Sequence, residues 1–156
     1  MLSRLVWGFC ALVLCSGCGK PKGDGLAKYE VTGQVLINEQ REKGVGVSFH
    51  NVDPSVKGNA ARPVAMTGSD GRFTMSTNGT NDGTIAGEYI VTFFWPQGGT
   101  SMRDFMDGRY ADPASSKFRV KIGTEPAALE TFELDLPEKN VEEARRALVP
   151  RPGPLN

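Results

Sequence analysis

Apolar and polar residues alternate through most of the segment from residue 29 to residue 136. This period of two is typical of β-strands with one buried and one exposed face. Five segments alternate clearly, and their apolar positions are Tyr29, Val31, Val35 and Ile37; Val45, Val47 and Phe49; Phe73 and Met75; Phe118, Val120 and Ile122; and Phe132, Leu134 and Leu136. Tyr89–Trp95 is apolar on both faces, which predicts a central strand, and Val64–Thr67 is a weaker seventh candidate.

Turn-forming residues separate these segments. Ser69-Asp70-Gly71 predicts a tight hairpin between two strands, because Asp-Gly readily adopts the positive φ that such a turn needs. A helical period appears only at Val141–Leu148. Seven short strands with turns between them predict an all-β protein with a β-sandwich fold. Residues 137–156, which end in a proline-rich stretch, are predicted to be a C-terminal tail that is disordered or contains one short helix.

The N-terminal segment has the three parts of a secretory signal peptide. Arg4 supplies a positive charge, Leu5–Leu14 is an uncharged apolar run, and the small residues Ser16 and Gly17 precede Cys18. This arrangement resembles the lipobox of bacterial lipoproteins, with Cys15 standing where leucine is usual. The resemblance implies that residues 1–17 are a signal peptide and that Cys18 becomes the lipid-bearing N-terminus.

A lipidated Cys18 would tether the protein to a membrane through several acyl chains, such as palmitate, which makes attachment effectively permanent. Residues 18–28 are polar and rich in glycine, and they are predicted to form a flexible tether. We therefore expect a location in the cell envelope, at the outer membrane or cell surface rather than the inner membrane. The formal net charge is zero and no basic block is present, so no nucleic-acid partner is expected.

Four motifs in the strand region resemble a known family. Val31–Val35, Gly44–Phe49, Thr67–Phe73 and Gly87–Val91 occur in the order typical of the carboxypeptidase regulatory-like, or transthyretin-like, domain. Downstream, Arg109–Pro113 and Ser116–Val120 look like the corresponding segments of short bacterial lipoproteins built on that domain. The resemblance covers residues 29–136 and implies a Greek-key β-sandwich of about seven strands. The family name implies no peptidase activity.

Few residues suggest chemistry. His50 is the single histidine, so a Ser–His–acid triad or a histidine metal site would have to include it. Its place in the alternation puts it on the polar side of a strand, where a solvated histidine is the favoured interpretation. The loop carboxylates Asp104, Asp107 and Asp112 lack the regular spacing of a calcium loop. We therefore predict no catalytic residue, no metal site and no cofactor, and we expect that the protein is not an enzyme.

The longest connection between predicted strands is Pro96–Ser116, and long loops in compact domains are often functional. Its apolar side chains either pack on the sandwich or meet a partner. The residues predicted to form a partner-binding loop are Arg103, Phe105, Met106, Arg109 and Tyr110. For the aromatic residues themselves, the favoured interpretation is that Phe94 packs beneath the loop and that Tyr110 fastens the loop to the sandwich. The alternative is that exposed aromatic side chains form a platform for a sugar or a protein contact.

These observations predict a membrane-anchored lipoprotein whose β-sandwich is a binding or structural module. Its expected partners are the membrane, through Cys18, and an envelope protein or glycan. The alternative is a carrier of a small ligand or carbohydrate, which would use a pocket or the exposed aromatic side chains of the sandwich. The sequence names no specific partner for either function.

Overall fold

The computed structural model describes residues 25–98 and 101–148, which form an all-β sandwich with one short α-helix. The predicted fold class is confirmed. The signal peptide, Cys18 and most of the tether lie outside the described residues, as do residues 149–156. Among the residues that are described, no helix is long and apolar enough to span a membrane.

The first sheet is organised around β1 (Val31–Ile37), whose residues are alternately buried and half-buried, as the sequence predicts. Two neighbours run antiparallel to it and two run parallel. The antiparallel neighbours are β2 (Gln40–Arg41) and β5 (Arg72–Thr74), and the parallel neighbours are β10 (Ala127–Ala128) and β11 (Phe132–Leu134).

The second sheet contains four antiparallel strands in the order β4–β3–β6–β9. Their bounds are β3 (Gly46–Asn51), β4 (Val64–Met66), β6 (Gly87–Phe94) and β9 (Arg119–Ile122). The strand β6 lies inside this sheet, as its apolar sequence predicts. Its two faces are not equally buried, however, because Phe94 is exposed and Ile90 is half-buried on the side away from the core.

Buried side chains from both sheets fill the space between them. The largest fully buried side chain is Trp95, whose indole Nε1–H donates to the Lys43 carbonyl at 3.1 Å. Phe49 and Tyr89 pack with their ring centroids 5.5 Å apart, and the Tyr89 hydroxyl donates to the Ile85 carbonyl at 2.9 Å. The indole N–H of Trp95 and the hydroxyl of Tyr89 are therefore both hydrogen-bonded, as burial of a polar group requires.

The turn at Ser69–Gly71 differs from the predicted hairpin. The strands on either side of it, β4 and β5, belong to different sheets, so the turn carries the chain from one sheet to the other. The need for glycine is nevertheless real: Gly71 has φ of +71°, and a Cβ there would lie 2.7 Å from the Val35 carbonyl oxygen. The local sequence specifies the bend, but which sheet each flanking strand joins depends on its pairing with strands that are distant in the sequence.

The connection after Trp95 is more ordered than the predicted long loop. It begins with a hairpin formed by β7 (Pro96–Gly98) and β8 (Ser101–Asp104), and continues through consecutive turns to β9. The carboxylate of Asp104 organises the end of the hairpin by accepting the backbone N–H groups of Trp95, Met106 and Gly108 at 2.8–3.1 Å.

The residues Glu138–Leu148 form the helix α1, so the predicted short helix is present and is part of the folded body. Val141 and Ala144 are fully buried against the sandwich. The side chain of Asn140 donates to the Phe105 carbonyl and to the Asp107 carboxylate, each at 2.8 Å. This helix covers one end of the core.

Candidate functional site

The structure places two residues of the predicted partner-binding loop inside the core. Phe105 and Met106 are each 1% exposed. The Phe105 ring meets the Trp95 ring edge to face at 6.2 Å, and its backbone N–H donates to the Trp95 carbonyl at 2.9 Å. This corrects the prediction that Phe105 and Met106 contact a partner. Their apolar side chains pack inward because the hairpin and α1 enclose them.

The other three predicted loop residues take different positions. Arg103 forms a bidentate ion pair with Glu143 of α1, so it fastens the hairpin to the helix. The Tyr110 hydroxyl donates to the Asp135 carbonyl at 3.1 Å and accepts its backbone N–H at 3.0 Å. Tyr110 therefore fastens the loop to the sandwich, as the favoured interpretation of the aromatic residues predicts. Arg109 is exposed. The five residues do not form one surface.

The loop carboxylates are engaged by the protein's own donors. Asp107 accepts the Asn140 amide, and Asp112 accepts the Ala114 backbone N–H at 2.9 Å. In residues 25–98 and 101–148, no group of three or more His, Cys, Asp or Glu side chains is arranged to hold a metal ion. Backbone N–H donors near a carboxylate organise turns in the same way that a capping residue organises a helix end.

His50 is half-buried in β3, and its Nε2 lies 2.8 Å from the Thr92 hydroxyl of β6. Burial and, to a smaller extent, the nearby charge of Arg62 lower the pKa of His50 below its ordinary value of 6.5. Asp53, which is close in sequence, uses its carboxylate to accept the Ser55 backbone N–H at 2.8 Å. Within the described residues, no carboxylate is hydrogen-bonded to His50.

A different surface combines exposed apolar side chains on the second sheet. Val47, Phe49 and Val91 point into the core, so alternate residues of the same strands point outward. The outward cross-strand rows are Met66–Gly46–Phe94, Val64–Ser48–Thr92 and His50–Ile90–Arg119. Val52 continues this register, since its N–H donates to the Glu88 carbonyl at 2.9 Å. We call these ten residues, with Val52 included, the outer face.

The outer face is apolar where an exposed sheet surface is usually polar. Met66 is 55% exposed, Val64 and Val52 are each 48% exposed, and Phe94 is 39% exposed. The Phe94 ring lies over Gly46, because a Cβ on that glycine would come within 2.2 Å of the ring. Ring and glycine thus form a flat surface beside Met66. These four side chains account for most of the six large apolar residues exposed in the described part of the chain.

Sequence reasoning missed this surface because it predicted that Phe94 packs beneath the long connection, whereas Phe94 is 39% exposed and lies beside Gly46. The outward positions Ser48 and His50 are polar, as the alternation predicts, but the short strand Val64–Met66 presents apolar residues outward. The available signals were Phe94 at the end of an apolar strand, and Gly46 opposite it. The residue that lies beside Gly46 is determined by the register between β3 and β6, and the sequence alone does not specify this register.

The described residues also border several open grooves. One of them, of about 550 Å³, runs between β4 and β5 and includes Arg72, Thr74 and Ser76. A second, of about 370 Å³, lies between β9 and residues 129–132. Neither of these grooves is the enclosed apolar pocket expected of a small-ligand carrier.

Comparisons with known proteins give little guidance. No family model matches the chain, and no curated protein matches it. One solved structure that matches is the dioxygenase domain of a dioxygenase carbohydrate-binding protein fusion from the cellulolytic bacterium Streptomyces sp. SirexAA-E. It is 21% identical, with a TM-score of 0.36, and the match covers 74% of this chain and 84% of that chain.

That match corrects the expectation that the protein is not an enzyme. The similar domain is itself an enzyme, so the sequence-based expectation is withdrawn. At a TM-score of 0.36 the similarity assigns no activity or substrate to this chain. The resemblance to the carboxypeptidase regulatory-like family stays a prediction.

Proposed function

We propose that this protein is a lipid-anchored binding module of the cell envelope, and that the outer face is its docking surface for a partner protein. The observation that carries the proposal is the grouping of Val64, Met66 and Phe94 around Gly46 and Ser48 on one sheet face, with Val52 exposed farther along the same face. Exposed apolar residues that occur singly need no explanation, but a group of this kind is typical of an interaction site.

The distribution of polarity on the outer face suits a protein interface. The apolar side chains lie beside the small, buried residues Ser48 and Thr92, which keep the surface flat. Arg119 and Lys121 provide charges at one margin. An apolar centre with a polar rim is the usual anatomy of protein–protein contacts. Full burial of an exposed apolar side chain of this size contributes about 1.5–3 kcal/mol, and these residues are about half exposed, so each gains roughly half of that before the costs of association.

Exchanging Val64 for threonine and Met66 for glutamine is expected to reduce partner capture about tenfold while leaving the fold intact. Both side chains are about half exposed, so their loss should change stability by roughly 0.5 kcal/mol or less each. The measurement is the cross-link yield in intact producing cells, together with the melting temperature of the purified domain. Glu133→Gln, exposed on the first sheet, is the matched control. Unchanged capture by the double variant would remove the outer face from the proposal.

The anchor is tested separately. Replacing Cys18 by serine removes the thiol that would be acylated, so lipid labelling and membrane retention should both be lost. The measurement is metabolic labelling with a fatty acid followed by fractionation of the cells. If the Cys18→Ser protein stays in the membrane fraction with the signal still cleaved, the lipid anchor is wrong, whatever the outer face binds.

A further inference from the structure

The strand β9 forms one edge of the four-stranded sheet, and its backbone is oriented for pairing with a further strand. The Val91 N–H donates to the Phe118 carbonyl at 2.9 Å, which makes residues 91 and 118 a hydrogen-bonded pair. In an antiparallel ladder the hydrogen-bonded pairs alternate along the strand. The register of Tyr89 with Val120 therefore directs the polar backbone groups of Val120 toward β6.

The same alternation directs the N–H and C=O groups of Arg119 and Lys121 away from β6. Throughout the described part of the chain, these four groups have no hydrogen-bonding partner. Both residues are exposed. A row of unpaired donors and acceptors on a sheet edge is a template for another strand.

A groove of about 370 Å³, with Phe118, Val120, Leu129 and Phe132 as its apolar walls and charged residues at its margins, lies directly beside this edge. It separates β9 from residues 129–132, and Phe118, Val120 and Leu129 on its walls are half-buried. Phe118 meets Phe132 edge to face at 5.7 Å, and the two rings form much of the base. Inward-pointing side chains of an added strand would enter this groove, since strand neighbours share the same alternation.

The outward positions of the edge are basic. Lys117, Arg119 and Lys121 are all exposed, and the Lys117 ammonium lies 5.2 Å above the centre of the Phe118 ring. The single ion pair of Lys121, with Glu88 at 3.8 Å, is itself highly exposed and therefore weak. A strand beside these residues would be stabilised by acidic side chains at its own outward positions.

We propose that an extended segment of a partner protein adds to β9 as a fifth strand of this sheet. Its apolar side chains occupy the groove between β9 and residues 129–132, and its acidic side chains lie beside Arg119 and Lys121. This inference rests on the proposed binding function and names the chemistry of the partner. The added strand extends the outer face at its basic margin, so both surfaces serve one interaction.

A second copy of the chain is a poorer occupant of this edge. Pairing two β9 strands would bring Lys117, Arg119 and Lys121 of one copy against the same residues of the other, and like charges opposite each other are destabilising. A lipid surface is also a poorer occupant, because acyl chains offer no partners for the backbone groups of Arg119 and Lys121.

The test compares Lys121→Pro with Lys121→Ala in the full chain. Both variants remove the ammonium, but only proline removes the outward N–H, and proline is tolerated on the free side of an edge strand. The probe is a fluorescein-labelled peptide of alternating glutamate and valine, followed by fluorescence anisotropy. We expect the wild-type protein to bind the peptide, and Lys121→Pro to bind it about tenfold more weakly than Lys121→Ala does. A lysine–valine peptide should not bind. Melting temperatures check that both variants are folded.

Three results would overturn the proposal: equal affinity of the two variants, equal binding of the two peptides, or binding to anionic phosphatidylglycerol vesicles with none to either peptide. If Lys121→Pro is unfolded, the test becomes amide hydrogen exchange in the wild-type protein. The bound peptide must then slow exchange of the backbone N–H groups of Arg119 and Lys121. If the Val64→Thr, Met66→Gln double variant loses partner capture in cells and Lys121→Pro retains it, the outer face remains the docking surface and strand addition is rejected. If both variants retain partner capture, both the outer face and strand addition are rejected.

Discussion

Replacing Phe105 with alanine is expected to lower the free energy of unfolding by about 3–5 kcal/mol. The ring is 1% exposed, and it packs against Trp95, the largest fully buried side chain of the core. Its removal leaves a cavity that neither the hairpin nor α1 can fill without moving, because both are held in place by hydrogen bonds. Chemical unfolding of the purified domain measures the effect.

Arg109→Ala is the matched control for Phe105→Ala, since Arg109 belongs to the same connection and is exposed. It should change stability by roughly 0.5 kcal/mol or less. Similar small effects of both substitutions would show that Phe105 is outside the core, and the original binding role of this loop would then have to be reconsidered.

A chain that ends at Pro137 is expected to lose about 4 kcal/mol of stability relative to the full chain. The truncation removes Val141 and Ala144, which are fully buried, and exposes the surface of the core that they cover. It also removes Asn140, whose amide satisfies the Phe105 carbonyl. Thermal unfolding of the two chains gives the comparison.

Point variants separate the packing of α1 from the other effects of truncation. Val141→Ala should cost about 2 kcal/mol, because it removes buried methyl groups. Glu142→Ala, on the exposed side of the same helix, loses only the ion pair with Arg146 and should cost about 0.5 kcal/mol or less. A truncated chain as stable as the full chain would mean that α1 contributes no packing.

The strands could be predicted from the sequence because their inward positions follow a strict period of two. Val31, Val35 and Ile37 are buried as predicted, and so are Phe132 and Leu134. The pattern could not specify which strands pair, because pairing depends on contacts between distant segments. The parallel neighbours of β1 come from residues 127–134, almost a hundred positions further along the chain.

The candidate site was harder to predict than the fold. Phe105 and Met106 are apolar residues in a long connection, and although the sequence predicts a short helix at Val141–Leu148, nothing in it places that helix over these two residues. The buried face of α1 consists of Val141 and Ala144 with the polar Asn140 beside them, so few apolar residues indicate where the helix packs. Conversely, Val64 and Met66 look like core residues in a strand, yet the register turns them to solvent.

Position-specific photo-cross-linking in intact producing cells shows directly whether the outer face contacts the partner. A photoreactive amino acid replaces Met66 in one version of the protein and Glu133, on the opposite sheet, in another. We expect a defined cross-linked species from position 66 that is absent from position 133 and that disappears when Val64 is also changed to aspartate. Equal cross-linking from both positions, or none from position 66 in a folded and correctly located protein, would contradict it.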